Sequence, residues 1–458
     1  MERNGTANAD EIGRRLAAGE TTARALAEAA LAAIAEKADL GAFISHGAAP
    51  GAFIVHGEGV LDAADASDRR RAEGQTLGPL DGIPVAIKDN LAMAGTLTTG
   101  GHRAAGLTPD TEDAHVVARL KAAGAVIVGK TNLHEGALGA TTDNPHHGRA
   151  INPLAAGHTP GGSSGGSAVA VAAGIVPIAI GSDTMGSVRI PASYCGLYGL
   201  KPGRGRIGRT GIAHLSPTLD VIGPLASTAH DLATTLRVLD AEDGRDPDWL
   251  PPAARTPALE RRAGRLTVGI VACDDVALDA ATREAFARAR DAIGRFAEVR
   301  EVRLAGWSPS AARRDGLLII EAEAWALMAG AIEATPERFG AAFVEMVRYT
   351  ERMKAERLAR AYMNARTAGQ AAITALASVD ILMLPTTPQR SFAHDDPVPV
   401  DQADLTALAN LSGLPAVALP VPAGDGGLPA SVQLLGPMWS EYRLIELAHH
   451  LGHTLSRA

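Results

Sequence analysis

Cysteine is nearly absent from this chain: two in 458 residues, Cys195 and Cys273. Two thiols cannot build a disulfide framework, which suits a reducing compartment and an expected cytoplasmic location. No apolar run approaches the length of a membrane span, so no membrane association is expected. The opening MERNGTANADEIGRR lacks the apolar core of a signal peptide. Excess positive charge is missing too. A net charge of −8 and a pI near 6.0 argue against a nucleic-acid partner. There is no low-complexity linker and no internal repeat. Length alone would favour two or three domains, but no composition shift marks a boundary.

Lysine is scarce as well, six against thirty-seven arginines, so basic surface is mostly delegated to arginine. A lysine in an apolar setting is then less easily dismissed as surface filler. Two stand out. Lys88 ends the apolar run of GPLDGIPVAIKDN, where period two puts Ile83, Val85 and Ile87 on one face and Pro84, Ala86 and Lys88 on the other. Lys130, in VIVGKTN, follows a similar run, and the residues alone do not separate the two. Burial would lower the pKa of either and make a usable base.

The most informative stretch is Gly161–Pro202, GGSSGGSAVAVAAGIVPIAIGSDTMGSVRIPASYCGLYGLKP. Ser163 to Ala173 is small and helix-compatible, and Gly174 is placed to end the helix. Ile175 to Ile180 reads as a short buried strand, and Pro177 makes it an edge or bulged one. A helix of this length rises roughly 15 Å. The extended return covers roughly 20 Å. The Gly181–Ser187 turn can therefore land beside Ser163 and bring two hydroxyls to one place. Its composition, GSDTMGS, suits an oxyanion hole, because small residues let consecutive N–H groups converge on a developing charge. Ser187 at its end suits a nucleophile, which needs a neighbour to take its proton.

Elsewhere, TVGIVA (267–272), EVREVRLAG (298–306) and Ile381–Pro385 read as strands, and 279–296 as an amphipathic helix. From 317 to 377 the pattern is helical and alanine-rich. Arg348, Arg352, Glu356 and Arg360 there follow one another at i, i+4, as on a solvated or subunit-facing side. A homodimer would be compatible with such a face. GRGRIG (203–208) matches a dinucleotide pattern, but a proline precedes it and no apolar helix follows. His134–Glu135 lacks a second histidine at zinc-protease spacing, and His449, His450 and His453 lie on a terminal helix where exposure is the default.

The segments GPLDGIPVAIKDN, TNLHEGALGATTDNPHHG, the serine- and glycine-rich block from His158 to Pro202, LDVIGPLA, and NLSGLPAVALP…GLPASVQLLG together resemble the amidase signature family of serine hydrolases. The resemblance spans most of 78–227 and the last fifty residues and is weakest over roughly 240–375. It implies an α/β fold, one large domain over 1–458, with a mixed central β-sheet covered by helices on both faces. The motif-bearing core would lie at about 70–227 and 378–440, with the helical 240–375 region contributing substrate or oligomer contacts.

Carried over residue by residue, the resemblance assigns Ser187 as nucleophile, Ser163 as the serine after a cis peptide, and Lys88 as base. Lys130 becomes structural or superficial. The oxyanion hole falls on the backbone N–H groups of Thr184, Met185, Gly186 and Ser187. The implied reaction is hydrolysis of a small-molecule amide through an acyl-enzyme, with no metal or organic cofactor required. Many relatives carry glycine where Met185 stands; a methionine there either crowds the acyl site or packs beneath the loop. Cys195 and Arg189 read as structural. Ureido amides of the carboxybiuret or allophanate type are an alternative substrate class, because the spelling SDTxGSxRxPASxCG resembles that of some ureide-cleaving relatives. A component of a glutamine-dependent amidotransferase is a further alternative, although the arginine-containing segment such components use is not recognisable in 317–340. From a different class, a non-catalytic anion-binding protein could use the same glycine-rich loops, but it would need neither the two serines nor a buried lysine.

Overall fold

The computed structural model describes residues 8–44, 57–255, 265–424 and 427–457. In chain order the first strands are β1 (Pro84–Lys88), β2 (Val126–Thr131), β3 (Asp143–Asn144), β4 (Gly148–Arg149), β5 (Ile178–Asp183) and β6 (Tyr198–Lys201). They are followed by β7 (Val221–Ala226), β8 (Thr267–Val271), β9 (Glu298–Val302), β10 (Ile381–Pro385), β11 (Ala416–Val421) and β12 (Ala430–Leu435). β3 and β4 form a separate two-stranded ribbon; the other ten make one sheet in the order β2-β1-β5-β7-β6-β11-β12-β10-β8-β9. β1 runs parallel to both β2 and β5, while β5 and β7 are antiparallel, so the sheet is mixed. Every residue of β1, β5 and β7 is buried. Strands buried on both sides read as near-continuous apolar runs and need helices on both faces, and that is the α/β arrangement found.

The serine-rich segment departs from its reading in one respect. The helix occupies Gly165–Ala172, ended by Gly174 at φ +74°, close to expectation. The strand, however, begins at Ile178 and runs to Asp183, and it is central, flanked by β1 and β7. Pro177 therefore makes no edge or bulge. It ends the preceding turn, where its missing N–H costs no ladder bond, and the ladder starts one residue later. Gly181, Ser182 and Asp183 belong to the strand, leaving only Thr184–Gly186 to turn the chain toward Ser187. The helix is made of small residues for a steric reason. A Cβ on Gly166 would lie 2.4 Å from the Asn132 carbonyl oxygen and 2.5 Å from that of Ala42.

The strands read at 267–272, 298–306 and 381–385 appear as β8, β9 and β10, and the helix read over 279–296 as Ala280–Gly294. The 317–377 region is helical but not continuous: Pro309–Ala334, Ala341–Arg348 and Ala355–Leu376 are separate helices. Tyr349–Arg352 is a 3-10 turn and Met353 is extended, so the i, i+4 row of arginines is broken. Arg348 instead lies over the Trp325 ring, 5.1 Å from its centroid, and only the Glu356–Arg360 pair at 3.4 Å keeps helical spacing. These helices carry a second apolar cluster, including Leu318, Ile319, Phe343 and Val347, which packs against Met185, two residues past the end of β5.

Candidate active site

Parallel register separates the two lysines. Ile87 pairs with Lys130 and Lys88 with Thr131, so the lysine side chains leave opposite faces of the sheet. Lys130 is buried, not superficial. Its Nζ lies 2.9 Å from Asp89 Oδ1 and donates to Thr98 Oγ1 at 2.5 Å and the Leu97 carbonyl at 2.8 Å. Lys88 is equally buried but meets hydroxyls instead: Ser163 Oγ at 2.7 Å and Ser182 Oγ at 2.9 Å. Burial pushes the Lys88 ammonium down to about 7, opposed by the charges of Asp220 and Asp183. At neutral pH a sizeable fraction of this amine is uncharged.

Ser163 follows a cis peptide bond from Gly162 and is fully buried. Its carbonyl accepts from the His134 N–H at 3.1 Å, and the next N–H, of Ser164, donates to the Ser187 carbonyl at 3.1 Å. That bond ties the two serine-bearing segments together. Ser187 is 9 % exposed and opens onto a cavity of about 170 Å³. Lys88, Ser163 and Ser187 thus converge at the ends of β1 and β5.

Asp183 organises the turn. Its Oδ1 accepts from Gly186 N at 2.7 Å and from Arg189 Nη2 at 3.0 Å; Oδ2 accepts from Arg189 Nε at 3.0 Å and Val188 N at 3.2 Å. The carboxyl is pulled down to about 2: burial opposes ionisation, but Arg189, Lys201 and Asn410 outweigh it. One consequence corrects the sequence reading. The Gly186 N–H is already committed to Asp183, so the expected oxyanion set narrows. Among the described residues, no hydrogen bond occupies the N–H groups of Thr184, Met185 or Ser187. Gly186 is nevertheless required for its backbone. It sits at φ +136°, and a Cβ there would lie 2.3 Å from Thr406 Oγ1.

Met185 is not at positive φ, so it carries no backbone penalty. Its side chain is half-buried, and its sulfur lies where a Cβ on Gly316 would come to 2.6 Å. It lines the cavity as well as packing on the helix Pro309–Ala334. Thr184 Oγ1 donates to Asp220 Oδ1 at 2.6 Å, while Asp220 Oδ2 accepts from His214 Nδ1 and the N–H groups of Leu215 and Ser216, each at 3.0 Å.

Arg189 and Cys195 are both fully buried and structural in placement, Arg189 also donating to Thr406 O, Gln433 and Asn410. Sequence reasoning missed Ser182, Asn90 and Asp220. Asn90 Nδ2 donates to Ser182 Oγ at 3.0 Å and so fixes the second hydroxyl facing Lys88. It also missed the pair His102 and His146, whose Nδ1 and Nε2 lie 3.0 and 2.9 Å from Glu135 Oε1. Among the described residues, no group of three or more His, Cys, Asp or Glu is arranged to hold a metal ion. No helix among them is long and apolar enough to cross a membrane. The glycine-rich loop is closed to a phosphate: the N–H groups of Ser164, Gly165 and Gly166 go to Ser187 O, Thr142 Oγ1 and Asn132 O.

The Amidase family model matches residues 49–445. A glutamyl-tRNA(Gln) amidotransferase subunit of Rhodopirellula baltica is 37 % identical over 492 aligned residues, covering 96 % of this chain and 94 % of that protein. A chain of a vestigial protein complex, described as revealing the evolutionary origins of an s-triazine catabolic enzyme, superposes with a TM-score of 0.87. Its identity is 31 %, covering 97 % of this chain and 98 % of its own. The native peptide amidase of Stenotrophomonas maltophilia gives 0.82 at 28 % identity, covering 98 % and 97 %. The chain belongs to the amidase signature family of hydrolases acting on C–N bonds.

Proposed function

We propose that this protein hydrolyses a carboxamide to a carboxylic acid and ammonia or an amine, through an acyl-enzyme on Ser187. The observation that carries this reading is the buried Lys88 amine, 2.7 Å from Ser163 Oγ, with burial pushing its pKa to about 7. A neutral amine has two N–H bonds and one lone pair. Donating one N–H to Ser182 Oγ leaves the lone pair for the Ser163 hydroxyl.

Ser163 gives its proton to Lys88 and takes one from Ser187 as Ser187 Oγ attacks the amide carbon. The developing oxyanion meets the unoccupied N–H groups of the turn, with Asp183 and Arg189 holding that turn in place. The C–N bond breaks as the proton returns through Ser163 to the leaving nitrogen. Water then attacks the ester, using the same relay in reverse, and releases the acid. Each proton moves among Lys88, the two serine hydroxyls, the leaving nitrogen and water, and no oxidation occurs.

A second reading, a glutamine-using component of an amidotransferase, is favoured by the near-full-length identity to the Rhodopirellula baltica protein. It would use the same acyl-enzyme and differ in acyl donor and in the fate of the ammonia. Against it, no carboxylate among the described residues lines the cavity to receive an α-ammonium group. The test is ammonia release from carboxamides, ureides, esters and glutamine, each with wild type and Ser187→Ala. Ser187-dependent release from simple carboxamides supports the first reading. Release from glutamine alone supports the second.

A further inference from the structure

β5 and β7 pair antiparallel with Asp183 opposite Val221, so the next pair outward brings Thr184 opposite Asp220, where the ladder ends. The two side chains meet there: Thr184 Oγ1 donates to Asp220 Oδ1 at 2.6 Å. Asp220 Oδ2 takes the N–H groups of Leu215 and Ser216 and lies beside His214 Nδ1, each at 3.0 Å. One buried carboxylate therefore joins the turn that leads to Ser187 to the 214–220 loop.

That loop is braced from its other side. Glu323, on the helix Pro309–Ala334, accepts through Oε2 from Ser216 Oγ at 2.6 Å and the Thr218 N–H at 3.1 Å. Its Oε1 accepts from Tyr362 Oη at 2.7 Å. Thr184 and Leu215 line the cavity beside Ser187, together with Arg313 and Leu317 of the same helix and Val400 of the 397–404 loop. The anchor of the oxyanion turn is thus a fixed segment of the cavity wall. Among the described residues, Asp220 makes no hydrogen bond to Lys88, Ser163 or Ser187.

Asp220 also acts on Lys88 through its charge. The charged and titratable groups acting on this amine are Asp220, Asp183 and His134. Asp183 is paired with Arg189 at 3.0 Å, and His134, pushed down to about 4 by burial, is neutral near pH 7. Arg209 reaches Asp220 at its backbone carbonyl, 3.2 Å from Nη1, and pairs its charge with Asp246 and Asp248. The ionisable partner of the Asp220 carboxylate is His214, whose side chain is 27 % exposed. A buried carboxylate with no fixed cation keeps its field on the amine and favours the ammonium form.

We propose that Asp220 is a positioning residue for acyl transfer: it holds the oxyanion turn through Thr184, and its charge favours the proton on Lys88 while the acyl-enzyme forms. The inference rests on the acyl-enzyme reading. Lys88 becomes an ammonium group in a dry site as Ser187 attacks, so a charge already in place stabilises that step without moving.

The test follows the rate at which a fluorophosphonate labels Ser187 across pH, since labelling draws on the same relay and N–H groups as acylation. Wild type is run beside Thr184→Val, Thr184→Ser, Asp220→Asn, His214→Lys and Lys88→Ala. Thr184→Val keeps the charge and loses the hydrogen bond. Labelling should slow roughly 10- to 100-fold with the acid limb unmoved, and Thr184→Ser should restore most of the rate. Asp220→Asn removes the charge, and His214→Lys sets a fixed positive charge against it while leaving Asp220 in place. In both, the ammonium form of Lys88 loses support, so the acid limb should move to lower pH. A structural role alone would slow labelling and leave the limb where it is. A limb unmoved in Asp220→Asn overturns the proposal; should thermal unfolding show that variant unfolded, an unmoved limb in His214→Lys does so instead. A wild-type rate in Thr184→Val overturns it as well. Each of these outcomes, with wild-type Ser187 labelled, removes this inference alone. A limb that persists in Lys88→Ala removes the Lys88 relay and this inference with it, and no labelling of Ser187 in wild type removes the acyl-enzyme reading itself.

Discussion

Asp183 and Arg189 form a fully buried ion pair, Oδ1 to Nη2 at 3.0 Å, that brackets Ser187. The same carboxylate takes the N–H of Gly186, so the charge pair and the turn's backbone are one unit. Asp183→Asn should leave Arg189 buried without a counter-charge, a change that costs about 3–5 kcal/mol. A lowered thermal midpoint together with lost turnover is expected. The paired replacement Asp183→Asn/Arg189→Met should recover stability without recovering activity. Full activity in Asp183→Asn would remove the turn-holding role.

The pH profile tests Lys88. With its pKa pushed down to about 7, the amine is protonated and idle below that value and neutral above it. Activity should therefore rise with pH through about 7. Lys88→Ala should lower the rate and abolish this limb. Lys201, also buried and pushed to about 7, is the named competitor. An unchanged limb in Lys88→Ala would transfer the titration to it.

Much of this site was legible in the sequence, and what was not has physical causes. Ser163 and Ser187 lie on one short helix-and-strand unit, and local propensity was enough to bring them near each other. The residues alone did not separate Lys88 from Lys130 and the choice came from the resemblance; pairing across β1 and β2 supplies the physical difference, since the two side chains face opposite sides of the sheet. Pro177 misled because its effect depends on whether it lies inside the ladder or one residue before it. The turn-holding role of Asp183 was not legible, since it rests on how its carboxylate meets Arg189 and on Asn410, 227 residues away in sequence. Arg313 and the 397–404 loop sit outside the strongest stretches of resemblance, and their place on the cavity is a tertiary fact.

The two hydroxyls facing Lys88 should behave differently. Ser163→Ala cuts the relay and should reduce the rate roughly 10²–10⁴-fold. Retention of more than about a tenth of the wild-type rate would contradict the relay. Ser182→Ala keeps the relay but removes an acceptor that favours the charged amine, so the acid limb should move to lower pH. A limb that stays in place would make Ser182 a packing residue only.

Met185 both packs and lines. Met185→Ala should enlarge the cavity and raise kcat/KM for bulky acyl groups relative to small ones. The stability cost is expected near the low end of the range for such truncations, about 2 kcal/mol, because the side chain is only half-buried. Paired kinetics on a branched and a linear amide read the first effect, and thermal unfolding the second. An unchanged preference would confine Met185 to packing against Gly316.

The central claim is a covalent bond to Ser187, and mass-spectrometric mapping after fluorophosphonate treatment tests it most directly. The N–H groups that stabilise a tetrahedral carbon also stabilise tetrahedral phosphorus, so one adduct is expected, on Ser187 within GSDTMGSVR. It should be absent from Ser187→Ala, and hydroxylamine should divert a hydrolysed amide to its hydroxamate. An adduct on Ser163 with Ser187 dispensable, or amide hydrolysis with neither adduct nor hydroxamate, would contradict the account.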